Sequence, residues 1–482
     1  MEFILIMLGA IMIGLVAGIL PGIGGPVTLA LLIPITFNMN LEQSIVLLLS
    51  AYGVVTYGGA ITSILVNTPG DALNAATTFD GYPLAKQGKA GMAITVAVLC
   101  STLGGIFGLL VLGFFIPIAR ALVLTFSYPE FFTLSLLGLA LIAVITRGNM
   151  YRGIISGLLG LLLSFIGMEP IMGTPRFAFG TNYLWQGIPL MPVLIGLFAI
   201  TEAFNLYAQK DAVSTNIKMK GSGFLEGVAT LLKRPWLFIR SSLIGVGVGI
   251  VPGVGGVLAS FLAYGVAAKT SKNKELFGKG NIEGVIASES ANDAKEGGAM
   301  IPTFAFGIPG SVGMAIFMGG LMMHGLTPGP EMLTTKLDMT HFIIAVGVVS
   351  KIIALPIAIL IGVRLVFVTK IRGELMAPGI IALSLVGAYA ESGNFIDVIV
   401  AVIFGIIGFL MKKYSYSSTP LIIAIVLGAI IESTFHQTLA TFGGAGFFTR
   451  PIALAFLLIS VSFVFWPLIK RLYNRMAGRG VN

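Results

Sequence analysis

The chain has 482 residues, of which 56% are hydrophobic and 10% charged, where a soluble domain carries about 25% charged residues. Lys and Arg number 29 against 20 Asp and Glu, a net charge of +9, and the mean hydropathy is +0.98. These values exclude an ordinary soluble enzyme; the basic residues cluster in particular loops and in the tail, so they read as orientation signals at a membrane and not as a nucleic-acid surface.

In chain order, the opening MEFILIMLGAIMIG has no basic n-region and no small-residue cleavage site, and is expected to be a retained segment. The first interruption of the apolar pattern is Gly18-Ile-Leu-Pro-Gly-Ile-Gly-Gly25, followed by Leu65-Val-Asn-Thr-Pro-Gly70 and by Thr77-Thr-Phe-Asp-Gly-Tyr-Pro83, an expected interfacial turn that carries Asp80. The single cysteine, Cys100, lies in an apolar run, so no disulfide or Cys-based zinc site forms within this chain. Charge-free runs such as Leu109–Ile118 and Leu421–Ile431 sit inside longer apolar stretches, which fits spanning helices and not the alternation of barrel strands. Arg176 falls in a second expected interfacial turn, and residues 207–235 form a polar linker. Trp236–Ala268 is too long for one ordinary span and is broken at Pro252-Gly-Val-Gly-Gly256; Lys-rich sequence follows it, and then the polar run Ile286-Ala-Ser-Glu-Ser-Ala-Asn-Asp-Ala-Lys-Glu296. Gly307-Ile-Pro-Gly-Ser311 is the last break. His324, His341 and His436 show no metal-ligand spacing, no GxxxxGK[ST] loop is present, and ATP hydrolysis by this chain is not expected.

An internal repeat organises these elements. Gly18–Gly25 returns as Gly249–Gly256 at an offset of 249 − 18 = 231; Gly58-Gly-Ala60 through Pro69-Gly70 returns as Gly297-Gly-Ala299 through Pro309-Gly310 at 239 and 240; Pro192 to Phe204 returns as Pro420 to Phe435. We therefore expect an all-α polytopic membrane protein of about 12 transmembrane segments. Its first repeat is 1–206, its cytoplasmic linker 207–235 and its second repeat 236–435; a last helix and basic cytoplasmic tail fill 436–482. No Lys or Arg precedes Lys86, whereas Lys233, Arg234, Arg240, Lys269, Lys272, Lys274 and Lys279 flank the second hairpin. The positive-inside rule then puts the two hairpins on opposite faces, making the halves inverted-topology repeats with re-entrant hairpins, the N-terminus external and the C-terminus cytoplasmic.

Helix-breaking Pro-Gly is tolerated at membrane depth only inside protein or beside water, and in discontinuous-helix transporters such breaks bind anions at half-helix N-termini and cations at freed carbonyls. The candidate substrate- and ion-binding residues are accordingly Pro21, Gly22, Gly24, Gly25, Asn67, Thr68, Pro69, Gly70, Pro252, Gly253, Gly255, Gly256, Thr303, Gly307, Pro309, Gly310 and Ser311. Asn67, Thr68, Thr303 and Ser311 serve equally well as helix caps. Glu289, Asn292, Asp293 and Glu296 share one helical face and join the candidates as ionisable or polar groups at membrane depth; an amphipathic cytoplasmic helix is the other reading of this segment. Lys295, off that face, is expected at the surface, and Glu202 and Glu432 near span ends. Ser50, Gly53 and Val54 occupy the matching positions of the first half.

The stretches Gly18–Gly25, Leu65–Gly70 with Thr77–Pro83, and Glu289-Ser-Ala-Asn-Asp-Ala294 through Gly297-Gly-Ala-Met-Ile-Pro302 to Ser311 resemble the large membrane subunit of tripartite tricarboxylate transporters (TctA-like), over almost the whole chain; that family often carries Asn-Asn where this chain has Asn292-Asp293. The resemblance implies a secondary active transporter subunit, not an enzyme, in the bacterial inner membrane. It would import a tricarboxylate- or dicarboxylate-type solute with a sodium or proton gradient, alongside a small four-helix membrane subunit and a periplasmic solute-binding protein. It implies no cofactor beyond the coupling ion. The residues by themselves also admit an intramembrane enzyme using a Glu289/Asp293 carboxylate pair, or a passive anion channel.

Overall fold

The computed structural model describes residues 1–20, 22–145, 150–169, 173–208, 223–252, 256–362, 364 and 373–476. Its first helices are α1 (Glu2–Ile19), α2 (Gly25–Leu32), α3 (Leu41–Val66), α4 (Thr78–Lys86), α5 (Ala90–Val123), α6 (Tyr128–Ile145) and α7 (Met150–Ser164). Then come α8 (Leu190–Leu194), α9 (Thr201–Ala208), α10 (Phe224–Leu232), α11 (Pro235–Ile250), α12 (Gly256–Thr270), α13 (Ile282–Phe306) and α14 (Val312–Met323). The last are α15 (Leu337–Ile357), α16 (Gly373–Ser392), α17 (Phe395–Lys413), α18 (Ser418–Phe442), α19 (Gly446–Thr449) and α20 (Pro451–Met476). The only strands among the described residues are the two-residue pair Gly167–Met168 and Pro175–Arg176. Among the described residues, seven helical stretches, Glu2–Ile19, Leu41–Val66, Ala90–Val123, Leu190–Ala208, Leu337–Ile361, Phe395–Lys413 and Ser418–Phe442, are long and apolar enough to cross a bilayer, and shorter apolar helices accompany them. The protein is an all-α polytopic membrane protein.

Two compact units make up the chain: Met1–Arg120, Leu190–Val251 and Gly255–Leu410 form the first, and Ala121–Pro189, Pro252–Val254 and Met411–Asn482 the second. Each takes helices from both halves of the sequence. In the second unit α18 packs on α6 and α7, and α20 on α6; the ion pairs Arg176–Glu432 (2.7 Å) and Arg450–Glu130 (2.5 Å) join its helices and turns. Of the polar linker, residues 209–222 lie outside the described residues, Tyr207 and Ala208 end α9, and Phe224–Leu232 form α10, where a Cβ on Gly227 would fall against Thr95.

In the first unit the local geometry recurs. Leu20 and Val251 each precede a proline, which disfavours the helical region; both take the same extended conformation, φ −79° and ψ 115° against φ −84° and ψ 111°, and end α1 and α11 there. Asn40 and Asn281 cap α3 and α13 with their side chains, accepting from Gln43 N and Glu283 N. Those helices end on left-handed residues, Asn67 (φ 58°) and Gly307 (φ 70°). Gly14 and Gly18 of α1 lie so close to α3 that a Cβ would meet the carbonyls of Ala51 and Val55, and Gly245 and Gly249 of α11 meet those of Ala291 and Lys295 in the same way. The offsets are 245 − 14 = 231 and 291 − 51 = 240, so the packing aligns Glu289, Asn292 and Asp293 with Leu49, Tyr52 and Gly53. Ser50, Gly53 and Val54, the mates expected from the Gly-Gly-Ala match, are one residue out of step. Backbone contact sets this register, and Gly58 proves the partner of Gly298: a Cβ on either would meet the preceding helix, at Leu15–Ile19 and at Val246–Gly249.

Candidate functional site in the first unit

Every residue of α13 from Ile282 to Ala305 except Glu283 is buried. At about 1.5 Å per residue the helix is long enough to span a membrane, yet four ionisable groups, Glu289, Asp293, Lys295 and Glu296, lie in its interior. Complete burial excludes the amphipathic surface helix. It also corrects the expectation for Lys295, which is 3% exposed and ion-paired with Glu296.

The broken segments converge on this helix. After α3 the chain turns at Asn67, exposed, and at the half-buried Thr68 and Pro69; Gly70 then lies against the Gly18 carbonyl, where no side chain fits. Asp71 is pivotal and was not singled out from the sequence: its Oδ1 accepts from Leu73 N (3.0 Å), capping the turn Ala72–Thr77, while its Oδ2 accepts from Gly25 N (2.8 Å) at the start of α2, where a carboxylate meets the positive end of a helix dipole. That contact places Gly24 and Gly25 at the site; a Cβ on Gly22 would sit 2.5 Å from Glu202 Oε1. Pro21, Gly253 and Gly255 lie outside the described residues. Pro252 is half-buried, and a Cβ on Gly256 would strike the Lys295 side chain.

Tyr52 holds the centre. Its hydroxyl donates to Glu296 Oε1 (2.7 Å), and its ring leaves no room for a Cβ on Gly25 or on Gly313. The break after α13 is fastened by caps: Thr303 Oγ1 donates to Ala299 O (2.7 Å) and accepts from Gly310 N (3.2 Å), Ser311 Oγ accepts from Met314 N (3.2 Å), and Pro309 stands between them. Thr303 and Ser311 are therefore engaged as helix-end partners, and Gly307 supplies the left-handed turn that ends α13.

Two further polar knots lie along α13. Asp293 pairs with Lys351 of α15 (2.7 Å) and accepts from Thr56 (3.0 Å); the same ammonium donates to Gly53 O (3.0 Å), lies 5.2 Å from the Tyr57 ring centre and fills the space a Cβ on Gly105 would need. Glu289 accepts from Asn74 Nδ2 at 3.0 and 3.1 Å, from Ser101 Oγ at 2.9 Å and from Thr77 Oγ1. Among the described residues, both amide atoms of Asn292 are buried without a hydrogen-bond partner, as are Glu296 Oε2, Asn74 Oδ1, Ser50 Oγ and Ser290 Oγ. Unpaired buried polar atoms are rare in folded proteins; of these, Ser290, Asn292 and Glu296 lie on α13, Ser50 on its repeat mate α3, and Asn74 in the turn Ala72–Thr77.

Sequence reasoning missed Lys351, Tyr52, Asp71, Asn74 and Ser101. Lys351 carried a usable signal, a lone cation in the apolar run of α15; the others are ordinary polar residues until the fold aims them. Asp80, expected in an interfacial turn, lies in the first turn of α4. It is fully buried, its Oδ1 accepting from Gly278, Gly280 and Asn281 N–H and its Oδ2 from the Tyr264 hydroxyl. In the second unit the fold gathers Glu169, Glu432 and His436, whose ligand atoms all lie within 4.8 Å of one another, a grouping invisible in their sequence spacing; Arg176 already pairs with Glu432.

The model of the Tripartite tricarboxylate transporter TctA family matches residues 4–423. A protein of Agrobacterium vitis, described as an uncharacterized 52.8 kDa protein in the TAR-I ttuC' 3' region, is 32% identical over 469 residues, covering 96% of this chain and 93% of its own. A second from the same organism, in the TAR-II ttuC' 3' region, is 34% identical over 212 residues, 43% of this chain and 87% of its own. No solved structure matches. With its helices, its broken segments and this family match over most of its length, the chain belongs to the TctA family, components of tripartite tricarboxylate transporters.

Proposed function

We propose that this chain is the solute-translocating subunit of such a transporter, importing a tricarboxylate- or dicarboxylate-type anion across the bacterial inner membrane by symport with sodium ions or protons. A periplasmic solute-binding protein delivers the anion, and a small four-helix membrane subunit completes the complex. The halves are inverted repeats, the N-terminus is external and the C-terminus cytoplasmic.

The observation that carries this reading is the meeting of Gly24 and Gly25, Gly256 at the head of α12, and both post-helical breaks on one buried polar cluster, Tyr52, Asp71, Lys295, Glu296 and Ser311, with Asn292 one turn before Glu296 on α13. Lys295 offers a carboxylate its positive charge, and the unpaired Asn292 amide offers two donors. The Lys295–Glu296 pair keeps that ammonium neutralised until an anion competes for it, so binding the solute frees Glu296 to rearrange.

The experiment is uptake of labelled citrate, malate and succinate into proteoliposomes holding the chain with its partner subunits, with sodium and proton gradients imposed separately. Accumulation above the external concentration under one gradient supports the reading. Equilibration to equal concentrations, indifferent to either gradient, sinks it in favour of a channel.

A further inference from the structure

The buried acids of α13 are unequally compensated. Asp293 has Lys351 and Glu296 has Lys295, but among the described residues no Lys, Arg or His is a partner of Glu289, which is fully buried. Its partners are all neutral: the Asn74 amide and the Thr77 and Ser101 hydroxyls. An isolated ionised carboxylate is strongly disfavoured in such surroundings. We infer that Glu289, with Asn74, Thr77 and Ser101 around it, is the seat of one monovalent cation, a sodium ion or a proton, separate from the solute-facing groups at the hairpin tips.

A second observation points the same way. Asn74 Oδ1 is itself buried and without a partner. Turning this amide would exchange its two ends and bring Oδ1 toward Glu289, and hydroxyl oxygens accept as readily as they donate. With Ser288 Oγ, 2.9 Å from Thr77 Oγ1, the shell then becomes all oxygen, the chemistry that holds sodium in broken-helix transporters. For a proton, one hydroxyl reverses its hydrogen bond and nothing else moves. Glu289 lies 296 − 289 = 7 residues from Glu296, about 10 Å along the helix, so cation and solute fit simultaneously.

The titratable groups around this seat are Asp293, one turn along α13, with its Lys351 from α15; Glu296 and Lys295 beyond it; Cys100, next to Ser101 on α5; Tyr57 of α3, held by Thr102 (2.8 Å); and Asp80 of α4 with Tyr264 of α12. Asp293 and Glu296 have their cations and Asp80 three backbone N–H donors, whereas Glu289 is held by neutral side chains alone.

The inference rests on the symport reading for the ion's role, but binding is testable without transport. Thermal unfolding of the purified full chain is followed in sodium chloride against choline chloride at equal ionic strength, and across a pH series. In the sodium arm the wild type is stabilised saturably by sodium; in the proton arm its midpoint is indifferent to sodium and titrates with pH. Glu289→Gln is expected to abolish whichever response the wild type shows. Ser101→Ala keeps the carboxylate and removes one partner: the sodium concentration for half effect rises roughly tenfold, as for loss of about one hydrogen bond, or the pH midpoint moves upward because the anion has lost a donor. A wild type that answers to neither ion overturns the inference, as does a wild-type response in Glu289→Gln, or in Ser101→Ala should Glu289→Gln fail to fold. Uptake still driven by the gradient in Glu289→Gln would overturn this seat while leaving the symport reading in place; gradient-independent uptake by the wild type would strike at the symport reading, with sodium or proton binding at Glu289 decided separately.

Discussion

Lys351 and Asp293 are 6% and 1% exposed at the side chain, a pair whose energetics differ from those of a surface ion pair. Removing one member of a buried pair leaves an uncompensated charge and is destabilising by about 3–5 kcal/mol, whereas replacing both is far milder. Lys351→Met is therefore expected to lower the unfolding temperature of the purified protein sharply, and Lys351→Met combined with Asp293→Asn to recover most of the loss. A double variant as unstable as the single one would show that the pair is not the unit that matters. The acids of α13 were legible in the sequence because polar residues at helical spacing stand out in an apolar chain. Their partners were not: Thr56, Thr77 and Ser101 are small hydroxyl residues, equally suited to capping their own helix, and only the packing of α3, α5 and the turn Ala72–Thr77 on α13 turns them inward.

Between elements, glycine decides the approach of backbones. Without a hydrophobic drive between helices in lipid, close van der Waals contact at small residues holds them together, and α1 on α3 and α11 on α13 both use it. A methyl at Gly18 or Gly249 would be driven into the carbonyl of Val55 or Lys295, while one at Gly9 or Gly247 on the same helices meets nothing within 4 Å. Gly18→Ala and Gly249→Ala are each expected to cost about 1–3 kcal/mol by overpacking, and Gly9→Ala and Gly247→Ala to be neutral or slightly stabilising; the yield and unfolding temperature of the four purified variants check this. Equal stability in all four would mean the helices are not locked by these contacts. The breaks themselves could be read from Pro and Gly in apolar runs. The one-residue error in pairing α3 with α13 came from following the Gly58-Gly-Ala60 and Gly297-Gly-Ala299 identity at an offset of 239, whereas Pro69-Gly70 and Pro309-Gly310 already stood at 240, the register that the backbone contacts adopt.

For the whole molecule, the charge asymmetry of the two hairpins implies opposite sidedness. With Cys100 replaced, cysteines at Asn38 and Lys274, both exposed, are expected to react with an impermeant thiol reagent from the outside and the cytoplasmic side respectively. Labelling of both from one side would remove the inverted-repeat topology. Composition and periodicity determined, without any coordinates, that the chain is a helical membrane protein with recurring broken segments, since burial in lipid constrains hydropathy and leaves proline and glycine conspicuous. The tertiary structure decided which polar groups meet. It gave Asp293 and Glu296 their lysines and left Glu289 among neutral donors; it tied Asp71 to the head of α2; and it divided the helices into compact units that each draw on both sequence halves. The reason is that a hydrogen bond or ion pair depends on the crossing of distant helices to within a few tenths of an ångström, and sequence spacing carries no record of that crossing.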